Sequence, residues 1–534
     1  MNMKSINIYL TLALLFLYSA CTDILDTRYE GALIPEDQKN AAGEANPALF
    51  DADVNAMYAL MIEYHVGTSW SSSNYHNDYG MAALALMTES NGQDLTCPAI
   101  GYNWFSNFLA FTDRNYEGAY ARMFWTVFYK QIRAANALLA SIPADAENEA
   151  LLYYRGQALA FRAYNYWNLA QLYQFSYKGN ESKPCVPIIT EETVEKDNPR
   201  KTVQEVYDFI LSDLNGEQGA IALLGGFSRP SKVYINQAVA YGIRARVNLV
   251  MQNWSEAASD AAKALELSGA VPYSRADVSR PTFNTANARS VIWANLITPD
   301  NDIVQTGIIN WPSHLCSFTG NGYVSVGGTR SIAKPLYDQI PSSDVRKGWW
   351  LDDSSESPLV AGSAYDGWRD GMKDYIVPYL NVKFGAYNDE PMNSTNAQDW
   401  ILMRAEEMIL IQAEATAMGG NAGSGRQILE SFVRDNRNAA YVCPASDPQG
   451  IQEAVWMQRR IELWAEGFAF FDIMRLHKPI IRVGSTFDPL HTFDIPADDP
   501  ILLFMIPRTE TETNDAIKHP EDNNQVAPTP TPVG

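Results

Sequence analysis

The chain has 534 residues, 46% of them hydrophobic and 19% charged, with a net charge of −22 at pH 7. That length and apolar fraction suffice for a large core. The acidic balance argues against nucleic acid or an anionic lipid surface as a partner and suits an uncharged ligand better.

Residues 1–20 join Lys4, the apolar run 6–17 and Tyr18-Ser19-Ala20 ahead of Cys21, the layout of a secretory signal. The run is too short to span a bilayer. Small residues directly before Cys21 make it the expected acylation site, so 21–50 is expected to be a lipidated tether; the alternative is ordinary secretion with cleavage elsewhere. A single domain is expected over 51–534.

Residues 64–116 form an aromatic-rich loop with Trp70, Tyr75, Tyr79, Tyr102, Asn103, Trp104 and Phe105. Helical periodicity then dominates. The spacing of Trp254, Ala257, Ala258, Ala261, Ala264 and Leu265 puts small residues where a neighbouring helix approaches closely, and Gly419-Gly420 supplies a stop after 402–418. Helical hairpins of this kind bury their apolar faces only by stacking. Pairs are predicted near 117–173, 201–252, 253–268 with 400–420, and 424–475, a mainly α, tetratricopeptide-like scaffold over about 117–268 and 400–475.

Between 272 and 399 the helical period fades. Trp293, Trp311, Phe318, Tyr323, Trp349, Trp350 and Trp368 lie there among glycines, serines and prolines, which reads as loops and short strands. Adjacent tryptophans in a loop are not easily both buried, so at least one of Trp349 and Trp350 is expected to meet ligand, partner or solvent. Trp125, Trp167, Trp254, Trp400, Trp456 and Trp464 are assigned to the core of periodic helices. Cys97, Cys185, Cys316 and Cys443 form no Cys-x-x-Cys pair and are expected to be buried small residues.

The most distinctive stretch is QRRIELWAEGFAFFDIMR at 458–475, predicted as one helix with Arg459, Glu462 and Glu466 in a charged stripe and apolar residues on both flanks. Together with Cys21 and Leu25-Asp26, with WTVFYKQIRAANALL at 125–139, RGQALAFRAYNYWNLAQLY at 155–173 and LMRAEEMILIQAEATAMGG at 402–420, and with Ile506-Pro507 and Glu510, it resembles the SusD/RagB lipoproteins of Gram-negative bacterial surfaces. The resemblance implies a non-enzymatic, outer-membrane, lipid-anchored protein facing the cell exterior. It also implies binding of a glycan, or in some members a peptide, and delivery to a SusC-like TonB-dependent transporter.

The chemistry legible in the residues agrees. A sugar offers an apolar face to flat rings and a hydroxyl rim to polar side chains, and these loops hold both. The ligand-binding candidates are Trp70, Tyr75, Tyr102, Asn103, Trp104, Trp311, Tyr323, Trp349 and Trp350, with Asn74 and Asn321 beside them. His65, His76 and His314 lie in the same loops, where a lone histidine is more often packed or solvated than a ligand contact. Glu462 and Glu466 could form the carboxylate pair of a glycosidase, but two acids on one stripe with Arg459 fit a structural ion-pair network better. No metal, cofactor or catalytic residue is expected. The alternatives are a peptide- or protein-binding helical-repeat lipoprotein and, third, a glycoside hydrolase.

Overall fold

The computed structural model describes residues 42, 43, 45–97, 102–525 and 527–533. The signal 1–20 and the whole of 21–41, Cys21 included, lie outside the described residues. Ala52–Gly534 form one compact unit; in the other, Met1–Asp51, the Pro47–Phe50 turn is a short 3-10 helix.

The helices are α1 (Met81–Ser90), α2 (Ala119–Ser141), α3 (Glu149–Tyr173), α4 (Val203–Leu214), α5 (Gln237–Met251), α6 (Trp254–Ser268), α7 (Ala405–Met418), α8 (Ala422–Asn436), α9 (Pro448–Glu462) and α10 (Ala469–Arg475), with shorter turns between them. Local chemistry sets their ends. Asn148, Asn236, Asn421 and Asp447 each accept a backbone N–H of the first turn, Thr202 and Glu205 form a reciprocal capping box, and Gly269 ends α6 at φ 61°. From α2 onward each long helix packs on the next in chain order, and α7 lies against α6, α8 and α9. The helices of the pair near 201–252 touch each other less than expected: α4 lies chiefly on α3 and α5 on α6. Gly425 shows how tight the stacking is, since a Cβ there would sit 2.6 Å from the Ala413 carbonyl oxygen.

The 272–399 stretch is irregular as expected. Two small antiparallel sheets hold it to the scaffold: β1 (Leu95–Thr96) pairs with β3 (Ser331–Ile332), and β2 (Val291–Asn295) with β4 (Trp400–Arg404). All four cysteines of the described unit are buried. Trp125, Trp167, Trp400 and Trp464 are in the core, Trp400 on a strand and not a helix, whereas Trp254 and Trp456 are only half-buried because each sits at the edge of its helix stripe.

The 458–475 segment is not one helix. It breaks after Glu462 through a turn with Ala465 at φ 64° and Gly467 at φ 95°. Both sides of the break are satisfied. Arg404 Nη2 and Lys383 Nζ donate to the Glu462 carbonyl, Lys383 donates also to that of Trp464, and Glu89 Oε1 accepts the N–H groups of Gly467, Phe468 and Ala469. Periodicity alone misses such a break because the apolar spacing continues across it.

Trp349 and Trp350 are both buried, at 0% and 1% exposure, against the expectation that one would be open. The two rings lie 6.0 Å apart in one enclosed aromatic cluster, and the backbone at Trp350 is extended and bridged to Asn381. Each ring is covered: Trp349 packs on Phe283 and donates to the Val278 carbonyl, and Trp350 packs on Trp464. Trp311, 1% exposed, is likewise core, its ring against Phe384 and Trp400 and its N–H on the Gln398 carbonyl at 2.9 Å. These three residues therefore leave the set of surface candidates.

Candidate aromatic surface and its ion-pair foundation

The remaining candidates come together. The rings of Trp70 and Tyr75 are 6.4 Å apart, Tyr75 and Trp104 6.4 Å, Trp104 and Tyr102 5.5 Å, and Tyr102 and Tyr323 5.9 Å. Tyr102 is 59% exposed and Trp70 39%; Tyr75, Trp104 and Tyr323 are half-buried. Five rings separated by up to 253 residues of chain (from 70 to 323) thus form one continuous surface, with exposed Asn74 beside it.

Rigid supports hold it. Asp78 accepts the Thr68 N–H and hydroxyl, both at 2.7 Å, which closes the loop under Trp70. Asn77 donates to the Trp104 carbonyl at 2.9 Å, His314 Nε2 to that of His76 at 2.9 Å, and Arg330 to Asn103 Oδ1 at 2.9 Å. Asn103 also accepts the Phe105 N–H, so its amide oxygen is committed inside the loop. That oxygen is an anchor. Tyr323 is positioned from the other loop, its N–H donating to Ser313 Oγ, and Gly327 at φ 98° turns the chain back afterwards.

Histidines are part of this surface, although sequence offered them only as isolated residues. His76 stacks on Trp104 at 4.9 Å and its Nδ1 lies 2.5 Å from the Tyr323 hydroxyl. His314, fully buried, is sandwiched between Tyr79 and Tyr323. Burial, then the neighbouring His65, lowers the His76 pKa; burial, then Arg330, holds His314 well below the ordinary histidine value. Both are neutral near pH 7. Arg122, whose guanidinium lies 3.6 Å over the Trp70 ring, was also unmarked in the sequence. A basic residue one helical turn from a loop gives no periodic signal of such a contact.

Glu462 and Glu466 belong to a different region. Glu462 is 0% exposed and receives Arg437, Arg404 and Arg346; Glu466, 6% exposed, receives Arg404 and Lys383. Burial alone would raise the Glu462 carboxyl, but Arg437, Arg404 and Arg346 override it and hold it well below the usual range; Arg404 and Lys383 do the same for Glu466. Arg459, expected in this stripe, pairs with Asp472 instead. The adjoining cavity, lined by Trp167, Arg246, Glu466 and Phe468, has room for about 50 Å³, enough for one or two waters and not for a sugar ring. Among the described residues no group of His, Cys, Asp and Glu could hold a metal ion, and no helix is long and apolar enough to cross a membrane.

Fold and surface define an α-helical repeat scaffold that presents aromatic rings on its loops. A family model described as "Starch-binding associating with outer membrane" matches residues 50–249, and one described as "SusD family" matches residues 355–531. The chain belongs to the SusD family. It is 22% identical over 405 residues to a SusD-like protein of Formosa agariphila, covering 67% of this chain and 73% of that one. Among solved structures it resembles a SusD-like carbohydrate binding protein of Bacteroides vulgatus (TM-score 0.71, 22% identity, 89% of this chain and 98% of that one). It also resembles surface glycan-binding protein A of Bacteroides thetaiotaomicron in complex with laminarihexaose (TM-score 0.60, 16% identity, 88% and 97%). At these identities the structures speak for the fold.

Proposed function

We propose that this chain is a non-enzymatic surface lipoprotein, acylated at Cys21, that captures an oligosaccharide or polysaccharide and delivers it to a SusC-like TonB-dependent transporter of the outer membrane. On this reading 1–20 is the signal, 21–50 the tether and 51–534 one SusD-like domain facing the cell exterior. The observation that carries it is the continuous surface of Trp70, Tyr75, Trp104, Tyr102 and Tyr323, open to solvent and fixed from behind. Such rings take the apolar faces of successive sugars. Family membership and the glycan-bound relative support the choice of sugar over peptide. The burial of Glu462 and Glu466 among arginines supports binding without hydrolysis.

Retention in native gels containing a panel of polysaccharides, with a peptide panel screened in parallel by thermal shift, tests the reading. One or more glycans should retard the protein, and replacing Trp104 and Tyr102 by alanine should abolish the effect. Stabilisation by peptides alone would replace the glycan with a peptide ligand. Reducing-end release that disappears in Glu462→Gln would overturn the non-enzymatic role.

A further inference from the structure

In an acidic chain, the face of α2 that runs away from the aromatic surface is basic. Arg122, Thr126, Lys130 and Arg133 share that face, and Arg122 to Arg133 spans about 16 Å of helix. Its near end belongs to the aromatic surface, since Arg122 lies over Trp70 and Lys130 Nζ donates to the Val66 carbonyl and Ser69 hydroxyl of the Trp70 loop at 2.5 and 2.6 Å. Its far end opens into a surface groove with room for about 350 Å³, lined by Tyr129, Lys130, Arg133, Pro187, Lys196 and Glu510 among others. Arg133 and Lys196 are exposed and form no ion pair among the described residues. The one acid lining the groove, Glu510, accepts from two other groove residues, the Trp125 indole at 3.1 Å and the Asn514 amide at 2.8 Å. Glu63 and the buried Asp78 act on Lys130 from the loop side.

We propose that this groove is a second subsite, which receives the anionic substituents, carboxylate or sulfate, of the same polysaccharide whose sugar faces lie on the aromatic rings. The inference rests on the glycan-binding reading above and narrows its substrate class to an acidic glycan. The net charge of −22 does not oppose it. Over a Debye length of about 8 Å at physiological salt the distant acids are screened, which leaves Lys130, Arg133 and Lys196 facing Glu510 in the groove and the exposed Glu195 and Asp197 beside Lys196. The uncharged ligand suggested by overall composition gives way to a local charge pattern.

Affinity electrophoresis of the full chain in gels containing polygalacturonate, chondroitin sulfate and dextran sulfate, with laminarin and dextran as neutral counterparts, tests it. The expected result is retention on at least one anionic polymer that falls with added salt. Combined Arg133→Gln and Lys196→Gln should weaken that retention about threefold to tenfold, as for two exposed charge contacts. Arg133→Lys should largely preserve it, and Tyr102→Ala should weaken it too, because rings and charges form one track. Retention on laminarin or dextran but on no anionic polymer overturns the subsite and leaves the glycan reading intact. So does anionic retention that the double glutamine variant leaves unchanged. Retention on neither class overturns the glycan reading itself and this subsite with it.

Discussion

Trp104 and Trp350 sit in comparably irregular, aromatic-rich stretches, yet Trp104 is half-buried at the surface and Trp350 is 1% exposed. The difference lies in what covers the chain. The 272–399 stretch is threaded between the β2–β4 pair, the 278–283 turn and the 463–468 break, so an indole leaving either side of the backbone meets protein. Around Trp70 and Trp104 the 64–116 stretch is held from one side by Asn77, Arg330 and His314, whereas Phe105, Phe108 and nearly all of α1 are buried. Aromatic content marks both stretches alike; the number of covered sides separates a core from a binding surface.

That contrast can be broken at its foundation first. Glu462→Gln leaves Arg346, Arg404 and Arg437 around a neutral group, and urea unfolding should show a loss of about 3–5 kcal/mol. The glycan retention of the folded remainder should persist. Trp349→Ala removes a fully enclosed indole and should cost about 3–5 kcal/mol by the same measurement, again without a specific binding defect. On the open side the pattern inverts. Tyr102→Ala should weaken glycan retention by about 1–3 kcal/mol, by analogy with ring stacking on bases, while shifting stability by less than about 0.5 kcal/mol. A Tyr102→Ala protein that unfolds early yet binds normally would erase the distinction.

The smallest effect concerns pH. His314 has a folded pKa depressed below its unfolded value, so its contribution is present above about 6.5 and is lost as the pH falls. Glu462 and Glu466, also depressed, keep their contributions until the pH falls below about 4.3. Glu89, pushed up to about 7 by burial against its backbone hydrogen bonds, works in the opposite sense, its protonated form favouring the native state on acidification. Comparing wild type with His314→Phe cancels Glu89. Between about pH 7 and pH 5 the melting temperature of wild type should fall more than that of the variant, which keeps the stack between Tyr79 and Tyr323.

The helices were legible because apolar spacing, asparagine caps and the Gly419-Gly420 stop are local signals. The break at 463–468 was not, since its causes are Lys383, Arg404 and Glu89, more than 50 residues away in sequence. Of the proposed contacts, Trp70, Tyr75, Tyr102, Trp104 and Tyr323 share one surface, because loops rich in rings and short of cover leave some rings outside. Trp311, Trp349 and Trp350 left the surface set for one reason: packing partners 71 to 114 residues away are invisible to composition. His76 and Arg122 were missed as contributors because stacking on Trp104 and Trp70 leaves no spacing pattern.

The three hydrogen bonds that tie Trp104, His76 and Asn103 to their neighbours also have a kinetic meaning. Rings locked in place beforehand lose little freedom on contact, so a long polymer can be gripped anywhere along its length without a closing lid. It can then slide sideways or be released without waiting for any part of the receptor to reopen.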